Sequence, residues 1–436
     1  MAPFLRNQWY TAATSAELGE RPLARTICNE PLVIFRSGSG DVAVLTDRCP
    51  HRKAPLSSGE VVGNDIQCGY HGIRFAPDGA CTRVPGNAQI GPNFRARSFP
   101  AREIHGLIFV WLGESALADP ALIPDFGENV KPGWTGVHGT LYVKCNYQLL
   151  IDNILDLTHV VFVHKTTLAG GGVAETPLDV EIDGDVVRAQ RLMRNVDTAP
   201  IYKAARNLHG KIDRWQFLEF RPPIYARITL GAREAGSEVP FGTPTHIVLN
   251  SFTPETERTT HYFWSTVRSW GLDDANVSKI YKDMTDLAFA EDARIVELQQ
   301  ILIDSDTSGA PLVSLATAPV SAPGASSNAS SMKRQRCRRG WLPLRCRRRR
   351  DRRPSLHREQ SSVVEDCDVF RVSAAGKRLH ECVNVGDLAI GHNRLGVSRH
   401  IIGGIAYLHF EPFKRHNGLG ERRRRAIVRA PCPARP

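Results

Sequence analysis

The sequence predicts an α+β protein: an all-β N-terminal domain, then a larger domain with an antiparallel sheet and helices. Three features of the 436 residues indicate this class. Short β-type segments separated by turn residues fill residues 1–115. Residues 178–270 alternate like antiparallel strands, and a long amphipathic helix follows them. Strands and helices that come in separate blocks favour α+β over a doubly wound sheet.

The first domain, residues 1–115, shows repeated strand–turn–strand patterns. The clearest are "PLVIFRSGSGDVAVLTDRC" and "GIRFAPDGACTRVPG", in which Gly/Ser and Pro-Asp-Gly provide the turns. The segment "HGLIFVWLG" is typical of a buried strand. Short strands at this spacing predict a small barrel or sandwich.

A Pro/Gly-rich segment, residues 116–130, is the predicted linker to a second domain at 131–315. That domain begins with a predicted helix, "YQLLIDNILDLTHVVFVH". It ends with the amphipathic helix "VSKIYKDMTDLAFAEDARIVELQQILI". The strands expected between the two helices complete a mixed α+β domain.

The charge of the chain divides sharply along its length. The net charge is +11, yet residues 331–436 hold 26 Lys/Arg against 9 Asp/Glu, which leaves residues 1–330 acidic. Residues 316–436 contain Arg, Pro and Cys runs without helical or strand period, and we expect them to be disordered. A basic tail that binds nucleic acid is the rival interpretation, but the tail lacks interleaved aromatic residues.

The ten cysteines form no pattern typical of a disulfide framework, which fits a reducing cytoplasm. No run of 18 apolar residues occurs, and the first residues lack an apolar export segment. The sequence therefore predicts a cytoplasmic protein that neither enters nor crosses a membrane.

Two Cys-His pairs, separated by 16 residues, form the first candidate metal site. Cys49 and His51 make a Cys-x-His motif, and Cys68 and His71 make a Cys-x-x-His motif. Structural zinc would accept these ligands, but zinc fingers usually pair Cys with Cys and His with His. One of each in both halves suits a Rieske [2Fe–2S] cluster, with a potential of roughly −150 to +300 mV.

The second candidate site lies in "DNILDLTHVVFVH", which supplies two imidazoles. His159 and His164 are five residues apart, about 140° around a regular helix. They can share an ion only if the helix ends or bulges between them, and we expect this near Val160–Val161.

Two imidazoles leave room for one carboxylate around a mononuclear Fe(II). Asp292, midway along the C-terminal helix, is the predicted third ligand, and Glu291 is the neighbour to be distinguished from it. On their own, two histidines in a helix are more often structural. The upstream cluster changes this, because a one-electron donor needs an acceptor.

These motifs resemble the oxygenase component of Rieske non-haem iron oxygenases, specifically the vanillate O-demethylase group. The resemblance covers about residues 4–315. It rests on "CPHRKAPLSSG", "CGYHGIRF", "ALADPALIPDF", "LLIDNILDLTHVVFVH", "DRWQFLEFRPP" and "SFTPETERTTHYFW". It implies a helix-grip-like catalytic domain with a large antiparallel sheet.

The resemblance also implies a homotrimer in which each cluster supplies electrons to the iron of the next subunit. Asp156 occupies the motif position of a carboxylate that bridges His71 of one subunit to His159 of its neighbour. Asn153 matches a position beside the iron ligands. The implied partner is an NADH-dependent reductase with flavin and a ferredoxin-type cluster.

The implied reaction hydroxylates an aryl methoxy carbon with O2, after which the hemiacetal collapses to a phenol and formaldehyde. Vanillate-like aromatic acids are the expected substrates. Ring or methyl hydroxylation of an aryl carboxylate or sulfonate is the first alternative, and electron transfer without oxygenation is the second. His246, Asn250 and His261, on alternating segments, are the candidate substrate contacts.

The resemblance stops near Leu315, where "ATAPVSAPGASSNASSMKRQ" begins to differ from the amphipathic ending of relatives. Back-translation with a shift of one base allows an ending with Arg-Arg-Ile-Ile-Glu-Arg. We therefore expect a shift of reading frame near residue 316, with the remaining residues translated out of frame.

Overall fold

The computed structural model describes residues 4–86, 91 and 93–307, and the backbone of three strands within 381–412. The first domain contains three small antiparallel sheets, ordered β1-β11-β10, β2-β3-β4-β9 and β5-β6-β7-β8. Its strands are β1 Gln8–Thr14, β2 Leu23–Ile27, β3 Glu30–Arg36, β4 Val42–Thr46, β5 Glu60–Val62, β6 Asp65–Gln67, β7 Arg74–Phe75, β8 Cys81–Arg83, β9 Ser98–Phe99, β10 Ala101–Ile104 and β11 Leu107–Leu112.

The predicted hairpins of this domain are present. The Gly/Ser segment connects β3 to β4, and the Pro-Asp-Gly segment connects β7 to β8. Every residue of β11 is buried, as expected for a continuous apolar run between two packed layers.

The segment between the domains contains short 3-10 turns and no strand, yet it is firmly packed. Phe126 is buried, and its ring lies 6.3 Å from Phe109 and 6.1 Å from Tyr225, ring centre to ring centre. Glu128 accepts two hydrogen bonds from the Arg227 guanidinium, at 2.7 and 3.0 Å. The predicted linker is therefore fixed to the second domain. Its turns are Ser115–Leu117, Pro120–Leu122 and Gly127–Asn129.

The second domain is built on a seven-stranded sheet with the order β12-β18-β17-β16-β15-β14-β13, in which every neighbouring pair is antiparallel. This confirms the strands predicted over 178–270. They are β12 Thr135–Val143, β13 Asp179–Asp183, β14 Val186–Asp197, β15 Lys211–Arg221, β16 Tyr225–Glu234, β17 His246–Thr256 and β18 Thr259–Arg268.

One face of this sheet, here called the inner face, lies against the long C-terminal helix. Paired residues of antiparallel strands share a face, so the register identifies its members. One row across the sheet is Arg191, Gln216, Leu230 and His246, and another is Phe220, Ala226, Asn250 and Trp264.

Four α-helices cover or flank this sheet: α1 Tyr147–Leu155, α2 Val160–Val163, α3 Pro200–Arg206 and α4 Ala275–Ser305. Helix α4 begins where the Asp274 side chain accepts hydrogen bonds from the backbone of Asn276 and Val277. On the inner face, its Tyr281 ring lies 4.9 Å from His246, and its Phe289 ring lies 5.4 Å from Trp264.

The helix that carries the candidate histidines is interrupted earlier than predicted. Val160–Val163 is regular helix, so the irregularity expected at Val160–Val161 is wrong, although the helix does end before His164. The main break is at Asp156, with φ −112° and ψ 85°. The Asp156 carboxylate accepts a hydrogen bond from the Thr158 backbone and starts a new 3-10 turn, Leu157–His159. A short acidic side chain competes with the helix for backbone donors in this way.

The two domains share one buried core. Thr11 of β1 accepts hydrogen bonds from the side chains of Ser251 and Thr253, at 2.9 and 2.8 Å. The Tyr225 hydroxyl donates to the Trp9 carbonyl at 2.7 Å. These groups are buried, so the two domains form a fixed interface.

The backbone of the tail includes three strands, β19 Glu381–Ile390, β20 Asn393–Ile402 and β21 Ile405–Pro412. The structure differs here from the expected tail without regular structure. Strands β20 and β21 are antiparallel, with Leu395 paired to Pro412 and Ile402 paired to Ile405. The neighbouring Arg and Pro runs concealed this pattern in the sequence. The rest of 316–436 lies outside the described residues. Within the described part of the chain, no helix is long and apolar enough to span a membrane.

Candidate functional site

Two loops of matching geometry carry the cysteine and histidine pairs. In the first, the Cys49 N–H donates to the carbonyl of Ala54 at 2.8 Å, and the Lys53 N–H donates back to the carbonyl of Cys49 at 2.9 Å. Lys53 has φ 63°, in the left-handed region. The loop therefore turns tightly around its cysteine.

The second loop repeats this pattern. The Cys68 N–H donates to the Ile73 carbonyl at 2.8 Å, and the Gly72 N–H donates to the Cys68 carbonyl at 3.0 Å. Gly72 has φ 65°, at the same offset from its cysteine as Lys53. The two loops are local copies, and glycine meets the left-handed requirement without strain in one of them.

The loops place the thiols inside and the imidazoles outside. Cys49 and Cys68 are 2% and 1% exposed, whereas His51 and His71 are exposed, with ring centres 4.6 Å apart. Burial, followed by the neighbouring Cys68, raises the pKa of the Cys49 thiol. A metal would hold both sulfurs as thiolates in this position. Buried sulfur on one side and exposed imidazole on the other fits a cluster of two unlike irons.

Glycine is required where the two loops approach each other. A Cβ atom at Gly59 would lie 1.9 Å from the carbonyl oxygen of Gln67, and one at Gly69 would lie 2.8 Å from that of Ser58. The chain at Ser58 and Gly59 and the residues on both sides of Cys68 can therefore touch only because Gly59 and Gly69 lack side chains.

The second centre consists of His159, His164 and Asp292, whose donor atoms all lie within 4.8 Å of one another. Oδ1 of Asp292 is 3.2 Å from Nε2 of His164 and 3.4 Å from Nε2 of His159. The imidazole rings are nearly perpendicular, with centres 5.2 Å apart. His159 and His164 can meet because they lie just outside the two ends of the one-turn helix α2.

The far nitrogen of each imidazole has its own partner. Nδ1 of His159 lies 2.6 Å from the carbonyl oxygen of Asp156, and Nδ1 of His164 lies 2.8 Å from Oε2 of Glu291. Both partners accept, so we assign the ring protons to Nδ1, which leaves each Nε2 lone pair free for a metal. Burial would lower the pKa of His164, but Asp292 and Glu291 raise it overall.

Asn153 lies one helical turn before Asp156 and fixes the carboxylate. Its Nδ2 donates to Oδ1 of Asp292 at 3.1 Å. Asp292 is only 3% exposed, so few other donors can reach it. A buried carboxylate beside two neutral imidazoles and one amide lacks a counter-charge, and a divalent iron would provide it.

Asp156 contacts the site through its backbone, whereas its carboxylate accepts from the Thr158 N–H at 3.0 Å. The guanidinium of buried Arg191 donates to the Thr158 hydroxyl at 3.1 Å. The contact of Arg191 with this turn was missed in the sequence, because its partners come from a distant segment.

The structure separates the three candidate substrate residues. Asn250 lies on the inner face, where its Oδ1 accepts from the Tyr262 hydroxyl at 2.8 Å. Tyr262 packs on Phe289 of α4, with ring centres 5.2 Å apart, and the charge of Asp292 contributes to raising its pKa after burial. Asn250 is therefore close to the metal centre.

His246 and His261 are not brought to this centre. His246 packs between Tyr202 and Tyr281, toward the N-terminal half of α4. His261 precedes Tyr262 and faces the other side of β18, where its Nε2 lies 3.3 Å from the Thr26 carbonyl of the first domain. Strand periodicity reverses the direction of neighbouring side chains.

Comparison with known proteins agrees with both centres. The family model for the Rieske [2Fe-2S] domain matches residues 8–100, and that for the vanillate O-demethylase oxygenase C-terminal domain matches residues 143–319. A putative toluene-4-sulfonate monooxygenase system iron-sulfur subunit of Comamonas testosteroni is 38% identical over 321 residues, covering 72% of this chain and 92% of the relative. The chain belongs to the Rieske oxygenases that have a vanillate O-demethylase oxygenase C-terminal domain.

Other relatives of the oxygenase are demethylases. The vanillate O-demethylase oxygenase subunit of a Pseudomonas species is 36% identical, with 68% of this chain and 86% of the relative covered. The dicamba O-demethylase oxygenase component of Stenotrophomonas maltophilia is also 36% identical, with 67% and 87% covered.

Solved structures of dicamba monooxygenase have the same fold. One with bound 3,6-dichlorosalicylic acid matches with a TM-score of 0.69 and 33% identity, covering 73% of this chain and 95% of that one. One with non-heme iron and dicamba matches with a TM-score of 0.62, covering 72% and 93%. The oxygenase is thus an oxidoreductase with one Rieske [2Fe–2S] cluster and one mononuclear iron, and it works with a separate electron-supplying component.

Proposed function

We propose that the oxygenase removes the methyl group of a methoxy-substituted aromatic acid of the vanillate type. The observation that carries this proposal is the Asp292 carboxylate oxygen, 3.2 and 3.4 Å from two imidazole nitrogens, in a chain that also has the two cysteine–histidine loops. One O2, two electrons and two protons convert the aryl methyl ether to a phenol, formaldehyde and water. The electrons come from an NADH-dependent reductase with flavin and a ferredoxin-type cluster.

In the proposed site, Cys49, His51, Cys68 and His71 hold the cluster, and His159, His164 and Asp292 hold the mononuclear iron. When bound, these groups supply single-electron transfer and activation of O2. Asn153 orients the Asp292 carboxylate, and Glu291 orients the His164 ring. The apolar members of the inner face exclude water, while Asn250, the candidate substrate contact on this face, holds the Tyr262 hydroxyl in place.

The proposed assembly is a homotrimer in which His71 of one subunit reaches Asp156 of the next. Two observations support this. His71 is exposed on its loop, and the Asp156 carbonyl oxygen is already 2.6 Å from Nδ1 of His159. A hydrogen-bonded path through Asp156 would join the two centres. We also propose a cytoplasmic location, because the described cysteines are all free.

Methyl hydroxylation of an aryl sulfonate is the second candidate function. It is supported by the toluene-4-sulfonate monooxygenase system subunit, which is 38% identical over 321 residues, compared with 38% over 284 residues for a vanillate O-demethylase oxygenase subunit. Both reactions oxidise a methyl carbon on an aromatic acid, so one site can serve either.

Anaerobic purification, metal analysis and turnover with the reductase test the proposal. We expect three irons per chain, a Rieske electron paramagnetic resonance signal after reduction, and formaldehyde formed from vanillate in step with O2 consumption. Two irons without oxygen-dependent turnover would indicate an electron carrier instead. A colourless zinc protein would contradict both functions, and turnover of 4-toluenesulfonate alone would favour the second candidate.

A further inference from the structure

Arg214 is a buried cation on the inner face of the large sheet. It lies on β15, opposite Met193 and Ala232, two residues before Gln216, and it is 3% exposed. Its Nη1 donates to the Leu168 carbonyl at 3.3 Å, and its buried Nε has no hydrogen-bond partner. The guanidinium is therefore incompletely satisfied.

No carboxylate within the described part of the chain forms an ion pair with Arg214. Its sequence neighbour Asp213 points to the opposite face and binds the Arg233 guanidinium at 2.9 Å. The Arg214 guanidinium carbon instead lies 5.5 Å from the ring centre of Tyr202. A buried charge without a counterion is strongly unfavourable, so an anion would complete this site.

A second donor next to this site is also unpartnered. Thr167, 2% exposed, has a buried hydroxyl without a hydrogen-bond partner, and it precedes the Leu168 carbonyl that Arg214 contacts. His246 is neutral here, since burial and the positive charges of Arg214 and Arg206 lower its pKa to about 3. The surroundings of Arg214 are therefore positive.

The site lies four residues along the chain from His164, a proposed iron ligand. The N–H groups of Leu168 and Ala169 donate to the His164 carbonyl at 3.1 and 2.9 Å, so the segment that Arg214 touches is attached to the metal centre. Gly170 packs closely against the guanidinium, since a Cβ atom there would lie 2.9 Å from Nη1 of Arg214. Arg214 is thus joined to the segment that carries His164 through the backbone of Leu168.

Among the described residues, the other two buried arginines have structural partners. Arg191 donates from all three of its nitrogens, to Thr176, Gln216 and Thr158. Arg268 has two unpartnered nitrogens, but its Nη2 donates to Gly271, Asp274 and Ser278, where it fixes the start of α4. Arg268 consequently serves as a matched control.

We propose that Arg214 binds the acid group of the aromatic substrate, carboxylate or sulfonate, and so determines the preference for anionic over neutral substrates. This inference rests on the proposed function for its substrate class. The guanidinium would donate two hydrogen bonds to the acid group, the geometry in which arginine is most selective. The Thr167 hydroxyl would add a third.

Equilibrium binding to the complete metal-loaded chain tests this without turnover. We expect the wild type to bind 4-methoxybenzoate at least tenfold more tightly than 4-methoxybenzamide in titration calorimetry. Arg214→Gln should lose this preference by weakening benzoate binding alone, and Arg214→Lys should retain part of it. Arg268→Gln should leave the benzoate-to-benzamide ratio unchanged. A titration with 4-toluenesulfonate separates sulfonate from carboxylate binding.

Several results would overturn the inference: equal binding of acid and amide by the wild type, equal weakening of both by Arg214→Gln, or an unchanged ratio in both variants. Should Arg214→Gln fail to fold, the ratio in Arg214→Lys decides, since the altered charge geometry must lower it. Loss of benzoate preference in a protein that does not demethylate would support Arg214 while contradicting the proposed function. Demethylation with an unchanged ratio would do the reverse.

Discussion

Oε2 of Glu291 lies 2.8 Å from Nδ1 of His164, on the side of the imidazole away from the proposed iron. The next residue, Asp292, approaches Nε2 of the same ring at 3.2 Å. Two consecutive carboxylates thus hold opposite nitrogens of one imidazole. Only Asp292 also reaches His159, so the two acids have different tasks.

Replacement of each acid should separate these tasks. Asp292→Ala should abolish binding of the mononuclear iron and leave the Rieske signal unchanged, because the cysteine loops belong to a different domain. Glu291→Gln should weaken iron binding roughly 10- to 100-fold without abolishing it, since it changes a partner of a ligand. Iron content and electron paramagnetic resonance of the reduced protein measure both effects. Complete iron loss in Glu291→Gln with retention in Asp292→Ala would reverse the assignment.

Removal of the Asn153 amide should have a smaller effect on the same centre. Asn153→Ala takes away the 3.1 Å hydrogen bond to Oδ1 of Asp292. We expect roughly 10-fold weaker iron binding, because the buried carboxylate is then free to rotate. Asn276→Ala, on the exposed first turn of α4, is the control and should have wild-type affinity in a cobalt titration. Equal affinity of the two variants would show that Asn153 has no orienting role.

The close approach at Gly59 makes the Rieske cluster sensitive to a single methyl group. In Gly59→Ala the new Cβ would lie 1.9 Å from the Gln67 carbonyl, so the backbone at Gly59 must move away from the residue that precedes Cys68. We expect the variant to lose the iron of the cluster and its visible absorbance, and to retain the mononuclear iron. Gly19→Ala, where a Cβ meets no atom within 4 Å, should retain full absorbance. A fully coloured Gly59→Ala protein would refute this account of the loops.

Buried His246 should make the protein less stable in acid. Its pKa is lowered to about 3, so between pH 3 and about 6.5 the unfolded chain binds a proton that the folded chain does not. Stability from this group is complete above about pH 6.5 and is lost as the pH falls, on the order of 1 kcal/mol per pH unit. Urea unfolding of His246→Gln from pH 7.5 to 5 should therefore show a flatter decline than the wild type. His209→Gln, at an exposed position, should follow the wild type. Parallel declines for wild type and His246→Gln would contradict the prediction.

The reading frame near residue 316 can be checked directly. The family match ends at residue 319, and the sequence beyond it becomes strongly basic. Resequencing of the gene should find a single-base insertion or deletion near this codon. A verified frame through codons 310–330 would rule out the shift.

The candidate metal ligands could be proposed from the sequence because cluster and iron sites require fixed residue types at short spacing. Cys49, His51, Cys68 and His71 needed no tertiary information. Asp292 was identified as an isolated acid beside an apolar helical stripe. The large antiparallel sheet followed from its alternating residues, because a period of two is a local property.

Other features depended on tertiary context. The helix breaks at Asp156 because its side chain accepts a hydrogen bond from the Thr158 N–H. Such a local bond competes with the backbone hydrogen bonds of a continuous helix, and the sequence alone does not show which of the two forms. The direction of His261 could not be determined, since one residue of register reverses a strand's faces. The roles of Arg191 and Arg214 depend on partners from segments far away in sequence, so the sequence did not predict where either guanidinium lies.

The shared core of the two domains bears on how the enzyme fails when heated. Backbone groups of Cys28 and Asn29 donate to Pro254 and Glu255, and Thr11 is held by two side chains of β17. A melting experiment should consequently show one cooperative transition, with bleaching of the iron–sulfur chromophore and release of the lone iron at the same temperature. Heat would then remove both redox centres together, because the sheet that supports the iron ligands and the strands that support the cluster loops lose their shared hydrogen bonds at once.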